Sequence, residues 1–134
     1  MEQSQQQVIV QNNSVLTLFF GQIGFRINET ILHNQRAGYA KQIVPTVSTQ
    51  LENKYGRNFE VKNLRRIMQF ANEFTDFQIV VPLARQLSWS HFVELLPLKT
   101  MEAKLFYAQS ASNNLYGKRE LRRQISTAPS GARL

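Results

Sequence analysis

The chain contains no cysteine, so neither a disulfide nor a thiolate-bound metal can form within it. Asp76 is its only aspartate, and His33 and His91 are its only histidines. That supply is too thin for a carboxylate cluster or a histidine-based metal site, and no metal or other cofactor is expected. No apolar run is long enough to cross a bilayer. The start, MEQSQQQ, lacks the basic stretch and the apolar core of an export signal. These absences point to a cytoplasmic location. No stretch keeps a two-residue alternation for long, and no internal repeat is visible, which argues against a sheet or a solenoid.

What remains is a chain of 134 residues, 43% hydrophobic and 19% charged, of single-domain size and globular composition. The expected organisation is a flexible N-terminus over 1–12, a helical domain over 13–126 and a disordered tail over 127–134. From about Asn13, capped by Asn13 or Ser14, apolar residues recur every three or four places: Leu16, Phe19 or Phe20, Ile23, Ile27 and Ile31. Val8-Ile9-Val10 could extend this helix backwards. Gly21 and Gly24 lie inside it, each costing about 1 kcal/mol against alanine, which implies close packing of another element there. A second helix sets Val44, Val47, Leu51 and Tyr55 on one stripe and ends at Gly56; Pro45 predicts either a start near Val44 or a kink. Shorter helices follow from Phe77, capped at Thr75-Asp76, with Ile79, Val80 and Leu83 inward. Another follows Ser88, with Trp89, Phe92, Val93 and Leu96 inward. The last two run from Met101 after Thr100, anchored by Leu105 and Phe106, and from Gly117 to about Ile125. The fold class read from this pattern is all-α.

The organising stretch is Tyr39 to Phe74. After the Arg57-Asn58-Phe59 link, a helix from about Glu60 to Phe74 places Val61, Leu64, Ile67, Met68, Ala71 and Phe74 on one side. Lys62, Arg65, Arg66 and Gln69 fall on the other at i, i+3, i+4 and i+7. Two helices joined by a tight turn, the second with a basic face, have the layout of a helix-turn-helix. A basic face on an amphipathic helix is as often plain solvated surface. The charge distribution favours more than that. The net charge is +7, with seven basic and three acidic residues over 35–74 and seven and two over 98–134, while 1–34 and 75–97 are each at −1. Two basic blocks of this kind favour nucleic acid as a partner over membrane, because neither basic helix carries an aromatic face for insertion.

No catalytic arrangement emerges. The two histidines lack metal-ligand spacing, and His91 reads as a half-buried residue with a local hydrogen bond. Glu94, Glu102 and Glu120 read as surface. The run Ser88-Trp89-Ser90-His91 does not make a nucleophile–base pair, because sequence neighbours on a helix do not face each other. Gly21-Gln22-Ile23-Gly24 is too short for a phosphate-cradling loop. Neither an enzyme nor a small-molecule substrate is expected.

The segments FFGQIGFRI (Phe19–Ile27), AGYAKQIVPTVSTQLENKYGRNFEVKNLRRIMQFA (Ala37–Ala71), RQLSWSHFVELLPLK (Arg85–Lys99), LFYA (Leu105–Ala108) and YGKRELRRQI (Tyr116–Ile125) carry a family resemblance. Together they make the chain resemble the N-terminal domain of the YhcG-like family, bacterial proteins assigned as PD-(D/E)XK nucleases. The resemblance implies a mostly helical, helix-turn-helix-like domain that serves a nuclease. Ala40 stands where the family usually has glycine. The chain ends nine residues after Ile125, and the carboxylates and lysine of the nuclease domain have no counterpart in it, so cleavage is not carried over.

The leading expectation is therefore a DNA-binding module. Lys62, Arg65 and Arg66 would touch phosphates or base edges, Asn63 and Gln69 would bond to bases, and Lys118, Arg119, Arg122 and Arg123 would add backbone contacts. Neutralising about four to six phosphates predicts a log–log salt slope of roughly −4 to −5. The alternative is a protein-interaction domain that forms a homo-oligomer or docks a nuclease partner, with Phe74–Val81 as the apolar patch.

Overall fold

Three helices begin where the sequence supplies a cap. Asp76 accepts a hydrogen bond from Gln78 N–H at 2.9 Å, and Thr100 from Ala103 N–H at 3.1 Å. At Ser88 the backbone N–H donates to Nδ1 of His91 at 3.0 Å, so a side chain of the first turn reaches back to the chain entering it. The computed structural model describes the backbone of residues 2–34 and 36–128 and, apart from 35, the side chains from Ser14 onward. Seven helices and no strand occur among the described residues: α1 (Glu2–His33), α2 (Tyr39–Tyr55), a 3-10 turn (Arg57–Phe59), α3 (Val61–Glu73), α4 (Phe77–Gln86), α5 (Trp89–Leu95), α6 (Met101–Asn114) and α7 (Lys118–Thr127). The all-α class read from the periodicity holds. α1 takes in Val8-Ile9-Val10 and starts well before Asn13. The tail expected over 127–134 falls, beyond Ala128, outside the described residues.

The chain divides into two compact units. One spans Phe20–Glu73 and holds the second half of α1, α2, the 3-10 turn and α3. Its interior is Phe20, Ile27, Val44, Phe59, Leu64, Ile67 and Phe70. The rings of Phe20 and Phe59 meet edge to face at 5.5 Å, a favoured aromatic geometry. α1 lies against α3 through its glycines. A Cβ on Gly24 would stand 2.5 Å from the carbonyl oxygen of Ile67 and 2.8 Å from Cβ of Ala71, so only glycine fits. One turn on, Asn28 Nδ2 donates to the Met68 carbonyl at 2.9 Å and holds the same two helices in register.

Within this unit α2 departs from the expected stripe. Its buried positions are Val44 and Ser48, while Tyr55 is exposed. Ser48 can face inward because its hydroxyl donates to the Phe59 carbonyl at 2.7 Å, which satisfies both groups away from water. α2 starts at Tyr39 and runs through Pro45, so the start near Val44 does not occur. Gly56 ends it at φ 102°, a conformation that disfavours a side chain.

The other unit comprises the first part of α1 and the chain from Phe74 onward. Phe74, Val80, Leu83, Leu87, Phe92, Leu95, Leu96, Tyr107, Ala108 and Leu121 fill it. Phe74 and Phe92 meet edge to face at 5.6 Å. On α4, Val80, Leu83 and Ala84 turn inward and Ile79 is exposed. On α6 the buried face is Ala103, Lys104, Tyr107, Ala108 and Ala111, and Phe106, expected as an anchor, is 64% exposed. Alanines at these positions let neighbouring elements approach α6 closely, which leaves the bulkier Phe106 outside. Lys104 is buried because its Nζ donates to the carbonyls of Leu96 (3.1 Å) and Leu98, at the end of α5. Between α6 and α7, Leu115 adopts φ 56° at 84% exposure.

The two α1 glycines make contrasting test sites. We expect Gly24→Ala to destabilise the protein by about 1–3 kcal/mol, because α3 must shift to admit the methyl group. Gly21→Ala, whose Cβ would sit 3.4 Å from the Phe70 ring, should be neutral or gain up to about 1 kcal/mol in helix propensity. Thermal and urea unfolding followed by circular dichroism compare them directly.

Candidate nucleic-acid interface

α3 is short but strongly two-sided. Leu64, Ile67, Phe70 and Ala71 are buried on one face. Lys62, Arg65 and Gln69 are exposed on the other, and Arg66 is half-buried beside them. Arg57, on the 3-10 turn that leads into α3, is exposed too. Among the described residues no carboxylate forms an ion pair with Arg57, Lys62, Arg65 or Arg66. Val61, placed on the apolar side by spacing, is exposed at the first turn of α3. Asn63, half-buried at the first turn of α3, spends one of its two amide N–H donors inside the protein. Its Nδ2 donates to the Asn58 carbonyl at 2.6 Å and closes the turn onto α3.

The second basic helix behaves differently. On α7 only Leu121 is buried, and all four cations are exposed. Arg122 donates Nε–H and Nη2–H to the Glu94 carboxylate, with the closest contact at 2.6 Å. Glu94 is largely covered, with a 15% exposed side chain, so this fork ties α7 to α5. Arg123 makes the same kind of fork to Glu120, three residues back, at 2.7 and 2.9 Å. Two of the four α7 cations are thus matched by carboxylates of the same unit, and among the described residues Lys118 and Arg119 form no ion pair. The role expected for Arg122 and Arg123 as backbone contacts is weakened accordingly. Spacing alone could have suggested the Glu120–Arg123 pair, but the 28-residue separation of Glu94 and Arg122 left no sequence signal.

No group of three metal-capable side chains occurs among the described residues. His91 has both ring nitrogens engaged. A carbonyl can only accept, so Nε2–H donates to Tyr116 O at 2.7 Å, and Nδ1 then accepts from Ser88 N–H and from the Ser88 hydroxyl at 2.8 Å. That leaves no lone pair for a substrate proton or a metal, in line with the local structural role read from its neighbours. Ser88 and His91, three residues apart, do face each other, contrary to the reading from sequence. No helix among the described residues is long and apolar enough to cross a membrane.

Comparison with known proteins places this arrangement. The DUF1016 N-terminal domain matches residues 1–129. The chain belongs to that family. A relative named "Putative nuclease YhcG", from Escherichia coli (strain K12), is 27% identical over 145 residues, covering 86% of this chain. The aligned region is 39% of that relative, so the chain spans well under half of the protein it resembles. No solved structure matches the chain significantly. The family resemblance read from the segments between Phe19 and Ile125 is borne out. The DUF1016 N-terminal domain seen here is built of α-helices and one 3-10 turn, with no strand among its described residues.

The charge pairing on α7 has a measurable consequence. Hydrogen bonds from Arg123 and then Gln124 lower the Glu120 carboxyl from its ordinary 4.5 to about 2. Because the folded value lies below the unfolded one, this carboxylate favours the folded helix above about pH 4.5 and loses that influence as pH falls towards 2. Its exposure keeps the effect on stability small. In a carbon-detected NMR titration the Glu120 midpoint should lie near 2 and return towards 4.5 in Arg123→Ala.

Proposed function

We propose that this DUF1016 N-terminal domain is a DNA-binding module, with α2, the 3-10 turn and α3 acting as a helix-turn-helix-like unit and α3 as the helix that meets DNA. The observation that carries this reading is the outward face of α3. Lys62, Arg65 and Arg66 lie on it and form no ion pair with a carboxylate among the described residues, while the opposite face is buried in the core. Cations left unmatched on a rigid helix, with Arg57 on the adjoining turn, suit a phosphate backbone, where each contact releases condensed counterions. The relative's name supplies the context: a targeting domain would bring a nuclease to its substrate. No cleavage step is assigned to this chain itself.

The expected salt dependence is shallower than composition alone suggests. With Arg122 and Arg123 matched internally, three or four phosphate contacts from Arg57, Lys62, Arg65 and Arg66 give a log–log slope of roughly −3 to −4. A second reading, docking of a protein partner, is favoured by one observation: Phe77 and Ile79 on α4 are exposed, within the Phe74–Val81 segment. Competition by unrelated DNA separates the two.

Fluorescence anisotropy with a labelled random-sequence duplex at two salt concentrations tests the proposal. Lys62→Ala/Arg65→Ala/Arg66→Ala should lose at least tenfold in affinity and flatten the salt slope by about 3, with its melting temperature little changed. Wild-type affinity in the folded triple variant would remove α3 from the interface.

A further inference from the structure

Resting on the DNA-binding reading, we propose that the cleft where α1 hands over to α2 holds one unpaired nucleotide, a second DNA contact separate from the α3 stripe. The cleft has a volume of about 460 Å³, and Ile31, Asn34, Arg36, Tyr39, Ala40 and Lys41 line it. That volume falls in the range of sites for small ligands, roughly 300–1,000 Å³. Its lining is of two kinds. Ile31, Ala40 and the half-buried Tyr39 supply apolar and aromatic surface. Arg36 and Lys41 are exposed and form no ion pair among the described residues. A nucleotide has the matching two parts: a flat base that lies on such surface, and a phosphate that takes cations.

The chain holds the arginine in place for this. Asn34 Oδ1 accepts from the Arg36 N–H at 3.1 Å, and the Arg36 carbonyl accepts from the Tyr39 N–H at 3.1 Å. The guanidinium stands over the Tyr39 ring, 5.7 Å from its centroid. A guanidinium plane and an aromatic ring are the two protein surfaces on which unstacked bases lie. Bases inside a duplex are stacked on both faces and present only their edges in the grooves, so duplex DNA offers the cleft no base face. An unpaired nucleotide offers base and phosphate together. Inorganic phosphate would engage the cations alone and leave Ile31, Ala40 and the ring uncovered.

Fluorescence anisotropy of the full 134-residue chain, with a labelled single strand and with its duplex, tests the cleft. Tyr39→Ala and the double variant Arg36→Gln/Lys41→Gln should each weaken single-strand binding roughly fivefold or more and change duplex binding less than about twofold. Tyr39→Phe, which keeps the ring, should bind the single strand as wild type does. In an NMR titration with thymidine 5′-monophosphate, amide shifts should concentrate at Ile31, Ala40 and Lys41, and inorganic phosphate at the same concentration should leave them in place. Duplex binding accompanied by unchanged single-strand affinity in Tyr39→Ala and in the double variant overturns the cleft assignment and leaves the α3 reading intact. Equal shifts with phosphate alone overturn it too. Absence of binding to either form of DNA overturns both readings.

Discussion

The approach of α1 to α3 at Gly24 is the constraint on which the Phe20–Glu73 unit depends. With no side chain at that point, the α1 backbone comes up to the Ile67 carbonyl and the Ala71 methyl. Close contact on one side fixes the rotation of α3 about its own axis. Asn28, bonded to the Met68 carbonyl, adds a directional restraint on the same rotation. Once Leu64, Ile67, Phe70 and Ala71 are committed inward, the 100° step of the helix leaves Lys62, Arg65 and Gln69 no direction but outward. The basic stripe is thus a consequence of packing on the far side of the helix. Its cations are held at fixed angles by a core that contains none of them.

Charge is organised by a different rule in each unit. Among the described residues the α3 cations form no ion pair with a carboxylate. On α7 two forks absorb half of the positive charge, and the Arg122–Glu94 fork crosses between helices while the Arg123–Glu120 fork stays on one. Pairs whose guanidinium is this exposed contribute little to stability. Their effect on potential is larger, because a matched cation no longer offers a counterion to exchange. Net charge counted from composition therefore overstates how much of this protein can act on a polyanion.

The helices themselves were legible because they obey local rules. Asp76, Ser88 and Thr100 are capping residues, Gly56 is a stop, and the elements from α3 onward begin and end within a residue or two of the places their patterns indicate. The buried faces were less legible. Ser48 replaces Val47 inside α2 because a carbonyl eleven residues on, at Phe59, needs a donor. Phe106 yields its place on α6 to alanines and to Lys104, whose ammonium meets the carbonyls ending α5. Hydrophobicity ranks side chains by transfer cost, but a hydrogen bond from a distant segment can reverse that rank at one position. The candidate interface divided in the same way. The α3 stripe followed from spacing, whereas the capture of Arg122 by Glu94, 28 residues away, depended on tertiary placement.

The turn between α6 and α7 is held in a shape that its own residue resists. Leucine pays about 1–2 kcal/mol to sit in the left-handed region, and Leu115 recovers nothing by burial. The N–H groups of Leu115 and Tyr116 both reach the Ala111 carbonyl, and the Tyr116 carbonyl is gripped by His91 from 25 residues upstream. Mechanically this is a latch under tension, with the imidazole as its keeper. Whatever displaces that imidazole releases torsion at Leu115, so the first part of this unit to move would be the junction that aims α7.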